Sequence, residues 1–157
     1  MKAKEKYSAK AASGLVSNVK TGEIVAMVSL PDFDPNNPRE AIDPTRINRL
    51  TTGVYEMGST FKALTLAMAL DSGRISLSST FDARQPLHYG KFEINDFHAQ
   101  RRILSVPEIF TYSSNIGTAR MAMGQGVEKH KAFLRKMGQL TRMRTELPES
   151  AEPLYPK

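Results

Sequence analysis

The chain has 157 residues, with 22 Lys and Arg against 16 Asp and Glu for a formal charge of +6, and it contains neither Cys nor Trp. At 40% hydrophobic and 24% charged residues it falls in the globular range and is long enough for one domain of ordinary size. The absence of cysteine excludes disulfides, thiolate catalysis and Cys-ligated metal or iron–sulfur centres, and the longest nearly unbroken apolar run, Ala63–Leu70, is far short of the ~20 residues a membrane helix needs. No apolar signal-peptide core follows Met1.

Residues 1–10 hold Lys2, Lys4, Lys6 and Lys10 against Glu5 and show no apolar periodicity, which reads as a disordered, solvated basic tail. Ala11–Val19 and Glu23–Leu30, rich in β-branched residues, flank Lys20-Thr21-Gly22 and predict an antiparallel hairpin. Pro31–Pro38 packs three prolines and four Asn or Asp residues into eight positions, so a loop region follows, extending to residue 58. Gly58 and Ser59 then open a helix that is apolar nearly all round, with Thr65 the exception, and such a helix is expected in the middle of a domain. Gly73 closes it, and Ile75–Lys91 reads as short extended pieces and turns. Ser105-Val106-Pro107-Glu108 matches a capping box with Pro in the first turn, starting a helix at Val106. Ser113-Ser114-Asn115 interrupts it, since these residues favour caps and turns. Helix resumes over Ile116–Met123, ended by Gly124 and Gly126, and a basic amphipathic helix runs from Val127 to Met137. Its lysines and arginines read as a solvated face; with no nucleic-acid binding motif in the chain, no nucleic-acid partner is expected. Residues 148–157, which include Pro148, Pro153 and Pro156, are loop-like. Strands first and helices after give an α+β fold class, mainly helical beyond residue 59. The eight methionines read as core filling.

The chemistry-bearing pair is Ser59 and Lys62. Residues i and i+3 share a helix face, so an amine meets a hydroxyl in an apolar setting. Desolvation lowers a lysine's pKa and makes it a usable base for a serine proton, while helix N-terminal N–H groups suit an oxyanion. Together these suggest acyl transfer through a serine ester. S-x-x-K alone is weak, because Ser is an ordinary helix cap and Lys is common in a first turn.

The surroundings are more specific. Asn48-Arg49, Thr52-Gly53, Tyr55-Glu56 and Gly58-Ser59-Thr60-Phe61-Lys62 resemble the nucleophile region of the penicillin-binding transpeptidases. S-x-x-K, S-D-N and K-T-G form the signature of penicillin-binding proteins and class A β-lactamases. Ser113-Ser114-Asn115, 54 residues after Ser59, fits the second motif with Ser in its middle position. Thr21–Met27, Phe33–Asn36 and Asn95-Asp96-Phe97-His98 add matches in the same order. The resemblance spans most of Gly14–Leu147 and is closest to the class B, cell-division type.

This resemblance implies that Ser59 attacks the penultimate D-Ala carbonyl of a peptidoglycan stem peptide and that an amine of a neighbouring stem takes the acyl group. It implies Lys62 as base, Ser113 as proton relay and Asn115 as holder of Lys62 or the substrate amide. It implies β-lactam antibiotics as covalent inhibitors of Ser59, no metal or organic cofactor, divisome proteins as partners, and a membrane-anchored parent protein acting in the periplasm, although no anchor or signal lies in this chain. A D-alanyl-D-alanine carboxypeptidase or β-lactamase, handing the acyl group to water, shares the same two motifs.

One departure matters. No K-[TS]-G follows Asn115, and Lys20-Thr21-Gly22 precedes Ser59 in a hairpin turn and takes no such role. The expectation is therefore a truncated α+β piece: N-terminal strands of the penicillin-binding/serine β-lactamase-like sheet (11–30), a loop region (31–58) and a helical subdomain (59–147). Impaired activity, or a catalytically silent interaction fragment, is expected with it, and so is self-association through an exposed sheet edge. His98 beside Asp96 reads as a structural turn pair, since a metal site wants at least three ligands.

Overall fold

The computed structural model describes residues 2–155. The chain divides into two compact units, one formed by the residues up to Tyr55 together with those after Leu140, the other by Glu56–Leu140.

In the first unit, Lys2–Lys6 form a short helix (α1) with no buried residue, where a disordered tail is expected. One turn of Lys, Ala and Glu has adequate helix propensity, and exposure leaves its charges solvated; Met1 lies outside the described residues. β1 (Ala12–Ser17) and β2 (Ile24–Leu30) pair antiparallel from Ala12↔Leu30 to Val16↔Ala26, with a bulge between Val16 and Ser17. The hairpin tip is the Lys20-Thr21-Gly22 segment: Gly22 N donates to the Asn18 carbonyl (2.7 Å) and Asn18 N to the Glu23 carbonyl (2.8 Å). Gly22 has φ 77°, a conformation that favours glycine. The proline-rich stretch resolves into two single-turn 3-10 helices, Pro38–Ile42 and Pro44–Arg46. Arg49 ties this loop to β2, donating to the Leu30 (3.3 Å) and Thr45 (2.7 Å) carbonyls. Gly53 is required by space, because a Cβ there would lie 2.5 Å from both the Arg49 carbonyl oxygen and the Tyr55 ring. The terminal stretch returns to this unit: Ala151 N donates to the Thr51 carbonyl (2.9 Å), and Asn48 Nδ2 to Glu149 (3.2 Å). Pro156 and Lys157, also in the expected loop-like end, are outside the described residues.

The second unit holds the core. α2 (Lys62–Asp71), α3 (Val106–Thr111) and α4 (Asn115–Gln125) gather around Ala69, Ala83, Leu104, Val106, Ile109, Ile116 and Met121. β3 (Thr80–Asp82) pairs antiparallel with β6 (Ile103–Ser105), and β4 (Leu87–Tyr89) with β5 (Phe92–Ile94), so two short ribbons accompany the helices. α5 (Val127–Lys136) follows with no buried residue.

Several expectations are corrected. α2 begins at Lys62, because Gly58–Phe61 forms a tighter 3-10 turn. It is not buried all round: Ala63 and Ala67 are exposed, and Thr65, the expected polar exception, is buried beside Met68 and Ala69. α4 passes through Gly124 and stops at Gly126, whose φ of 81° breaks the helix. Met68 and Met121 fill the core, whereas Met57, Met123, Met137 and Met143 are exposed; unbranched side chains on exposed positions need no cavity.

Candidate active site

The S-x-x-K segment enters the site through the 3-10 turn Gly58–Phe61. Ser59 is exposed in that turn, and among the described residues its hydroxyl has no hydrogen-bond partner. The α-helical N–H groups expected to point at Ser59 belong to later residues, since Ser59 precedes α2 by three positions. The turn instead spends backbone donors internally: Lys62 N donates to the Ser59 and Thr60 carbonyls.

Lys62 is the first residue of α2, and its side chain crosses to the junction of α3 and α4. Nζ donates to Ser113 Oγ (2.9 Å) and to the Ser113 carbonyl (2.5 Å). Both acceptors sit on one residue because Ser113 has φ 53°, in the left-handed region rarely used by residues other than glycine. That conformation turns the carbonyl and the hydroxyl toward the same amine, and residues held in such backbone states cluster at functional sites. Lys62 borders a small open crevice whose other lining residues are Leu66, Val106, Ile109, Phe110, Thr118 and Met121. The mostly apolar surround desolvates the ammonium and lowers the Lys62 pKa from its ordinary 10.5, while the charge of Asp96 acts in the opposite direction.

The Ser-Ser-Asn turn is built from three elements. Upstream, Ser105 N and Oγ both donate to Glu108 Oε2 (2.8 Å each), fixing the start of α3 in the expected capping arrangement. Arg102 pairs with the same carboxylate at 2.8 Å, and the Glu108 pKa falls to about 2. Downstream, Ser114 is the N-cap of α4, and its Oγ accepts from Gly117 N (2.9 Å). From the third side comes the Asn95-Asp96 segment. Asp96 Oδ2 accepts from Ser114 Oγ (2.8 Å) and Oδ1 from Ile116 N (2.9 Å).

Of the residues singled out in the sequence, Lys62 and Ser113 are thus in direct contact. Asn115 lies two residues beyond Ser113; its Nδ2 donates to the Asn95 carbonyl (2.7 Å), while the side-chain hydrogen bonds of Lys62 Nζ go to Ser113. The sequence pairs Asp96 with His98 as a structural turn pair. His98 stays exposed, its ring edge-on to Phe97 at 4.8 Å between centroids, whereas Asp96 reaches the Ser-Ser-Asn turn. Its signal was the Asn95-Asp96 dipeptide among the ordered family matches, not the histidine beside it. Among the described residues, no cluster of three or more His, Asp or Glu could hold a metal ion.

A family model described as the penicillin-binding protein transpeptidase domain matches residues 12–156. The chain is 47% identical over 156 residues to a probable peptidoglycan D,D-transpeptidase FtsI of Caulobacter vibrioides, covering 99% of this chain and 26% of that protein. It is 35% identical over 147 residues to the probable peptidoglycan D,D-transpeptidase PenA of Neisseria gonorrhoeae, covering 94% of this chain and 25% of that one. The chain therefore spans about a quarter of the length of these curated relatives. Among solved structures, a peptidoglycan glycosyltransferase from Burkholderia ambifaria superposes with a TM-score of 0.83 at 29% identity, over 99% of this chain and 45% of that one. The apo TP domain of Burkholderia pseudomallei penicillin-binding protein 3 follows with a TM-score of 0.80 at 27% identity, over 96% of this chain and 41% of that one. With a mixed α+β fold, both motifs in order and the family's match over nearly its whole length, the chain belongs to the penicillin-binding protein transpeptidase family.

Proposed function

We propose that this chain carries the nucleophile half of a serine D-Ala-D-Ala transpeptidase that cross-links peptidoglycan stem peptides in septal cell-wall synthesis, outside the cytoplasm. The observation that carries the reading is the desolvated Lys62 amine, three residues after Ser59 and held by both oxygens of Ser113. Neutral Lys62 takes the proton of Ser59 as Oγ attacks the penultimate D-Ala carbonyl. The amide C–N bond then breaks, Ser113 relays a proton to the departing amine, and D-Ala leaves. The ester on Ser59 is consumed by an amine of a neighbouring stem, which forms the cross-link and restores the serine. Asn115, within the same turn, steadies the substrate amide, and its bond to the Asn95 carbonyl fixes where that amide group starts from.

β-Lactams acylate the same serine through a strained amide, so they report the chemistry without a second stem. The relatives' names support the D,D-transpeptidase assignment over a water-accepting carboxypeptidase. Divisome proteins are the partners this role implies.

The intact mass of the chain after incubation with benzylpenicillin tests the reading. One adduct, equal to the whole drug and absent from Ser59→Ala, is the expected result. A folded chain that gains no mass would overturn the acyl-transfer role and leave a catalytically silent member of the family, acting as an interaction fragment.

A further inference from the structure

Asp96 has no part in the chemistry just described, yet its carboxylate is wholly committed inside the site. We propose that Asp96 is a positioning residue: by gripping Ser114 Oγ and Ile116 N, it locks the Ser-Ser-Asn turn so that the left-handed Ser113 presents its carbonyl and hydroxyl to Lys62. The proposal rests on the acyl-transfer reading for its consequence in catalysis, but its geometry stands on this chain's own contacts.

Three observations converge. Oδ2 accepts from Ser114 Oγ at 2.8 Å and Oδ1 from Ile116 N at 2.9 Å, so the two oxygens bracket residue 115 from either side. Ser114 is 1% exposed, and its hydroxyl passes the grip onward by accepting from Gly117 N (2.9 Å). The neighbouring Asn95 carbonyl accepts from Asn115 Nδ2 at 2.7 Å, so a single two-residue segment holds three consecutive positions of the turn. Ser113, immediately before, needs such restraint: a serine at φ 53° carries a steric penalty that relaxation of the turn would release. Release would swing both acceptors away from Nζ. Asp96 is also the charged group whose field acts on Lys62, opposing the effect of burial. Asp96 is half-buried, but its partner Ser114 is fully buried, and removing the carboxylate would leave that hydroxyl without its acceptor.

The two contributions are separable. Asp96→Asn keeps an acceptor for Ile116 N and a polar partner for Ser114 but removes the charge. Asp96→Ala removes both. The test follows the Lys62 Nζ titration by NMR on chains carrying 13C-labelled lysine, assigned by its loss in Lys62→Arg, beside the benzylpenicillin acylation rate against pH. Asp96→Asn should move the Lys62 midpoint, and with it the acidic limb of the acylation profile, to lower pH. Its acylation at the plateau should stay within about threefold of the parent if the turn is kept. Asp96→Ala should also displace the amide signals of Ser113 and Ile116 and slow acylation about ten- to a hundredfold. Asp96→Ala with the Ser113 and Ile116 signals in place and acylation at the parent rate overturns the proposal. If the parent takes no penicillin while the Lys62 midpoint and the Ser113 signals still follow Asp96, the positioning role is supported and the acyl-transfer reading fails.

Discussion

A lysine amine earns its place as a base only when water is taken from it, and Lys62 illustrates how one residue's surroundings set its use. It borders an apolar crevice shared with Leu66, Ile109 and Met121, and its Nζ meets two oxygens of Ser113. Burial lowers its pKa and Asp96 resists that shift. The sign of the pH dependence follows. Below the depressed pKa the amine is charged and cannot take the Ser59 proton; as pH rises through it, the neutral fraction and the acylation rate rise together. The benzylpenicillin rate should therefore climb to a plateau with a midpoint below the ordinary lysine value. Lys62→Arg, whose guanidinium stays protonated, should lose the climb and acylate about 10²- to 10⁴-fold more slowly, as read from initial rates of adduct formation.

At the scale of elements, the site depends on how closely α3 and α4 approach. Gly117, one turn into α4, is where they meet: a Cβ there would lie 2.6 Å from Ile109 Cγ1 and 2.8 Å from Cδ1. Ile109 is buried in the core, so its Cγ1 cannot simply swing out. Gly117→Ala should push the helices apart and cost about 1–3 kcal/mol, as overpacking does in other cores. A denaturant midpoint equal to that of the parent would show that the contact is softer than the geometry indicates. Because Gly117 N also donates to Ser114 Oγ, the same variant should slow acylation more than a distant substitution of equal destabilisation. The capping box at Ser105 is legible because it is a local hydrogen-bond solution written in four consecutive residues, whereas Ser113-Ser114-Asn115 marks an interruption without saying which of the three caps α4. α2 starts three residues later than the sequence suggests, because a 3-10 turn and a first helical turn use the same residue types.

At the scale of the whole molecule, the hairpin of the first unit is a two-stranded sheet with Leu15, Val16, Val25 and Val28 exposed. Unpaired strand edges with β-branched side chains are templates for pairing with another chain. We predict concentration-dependent association, seen as a light-scattering mass that rises across a dilution series, and its loss in Val16→Lys. A constant monomer mass would remove this expectation.

What the sequence determined by itself was local or nearly so. β-Branched residues on either side of Lys20-Thr21-Gly22 specified the hairpin, Ser105-x-x-Glu108 specified a helix start, and spaced motifs from Thr21 to Asn115 specified the family, now shown by its match over residues 12–156. Each rests on short-range dihedral preference or on an order of motifs along the chain that needs no coordinates. Tertiary structure alone decided the rest. Only folding brings Lys62 to Ser113, 51 residues away, and only folding reveals Asp96 beneath the turn, 18 and 20 residues from its partners. The return of residues 149–151 to Asn48 and Thr51 is likewise invisible in a proline-rich end that reads as loop. The physical reason is common to all three: a hydrogen bond between distant residues leaves no periodicity in either segment, because its energy depends on where the chain has placed them and not on what their neighbours prefer.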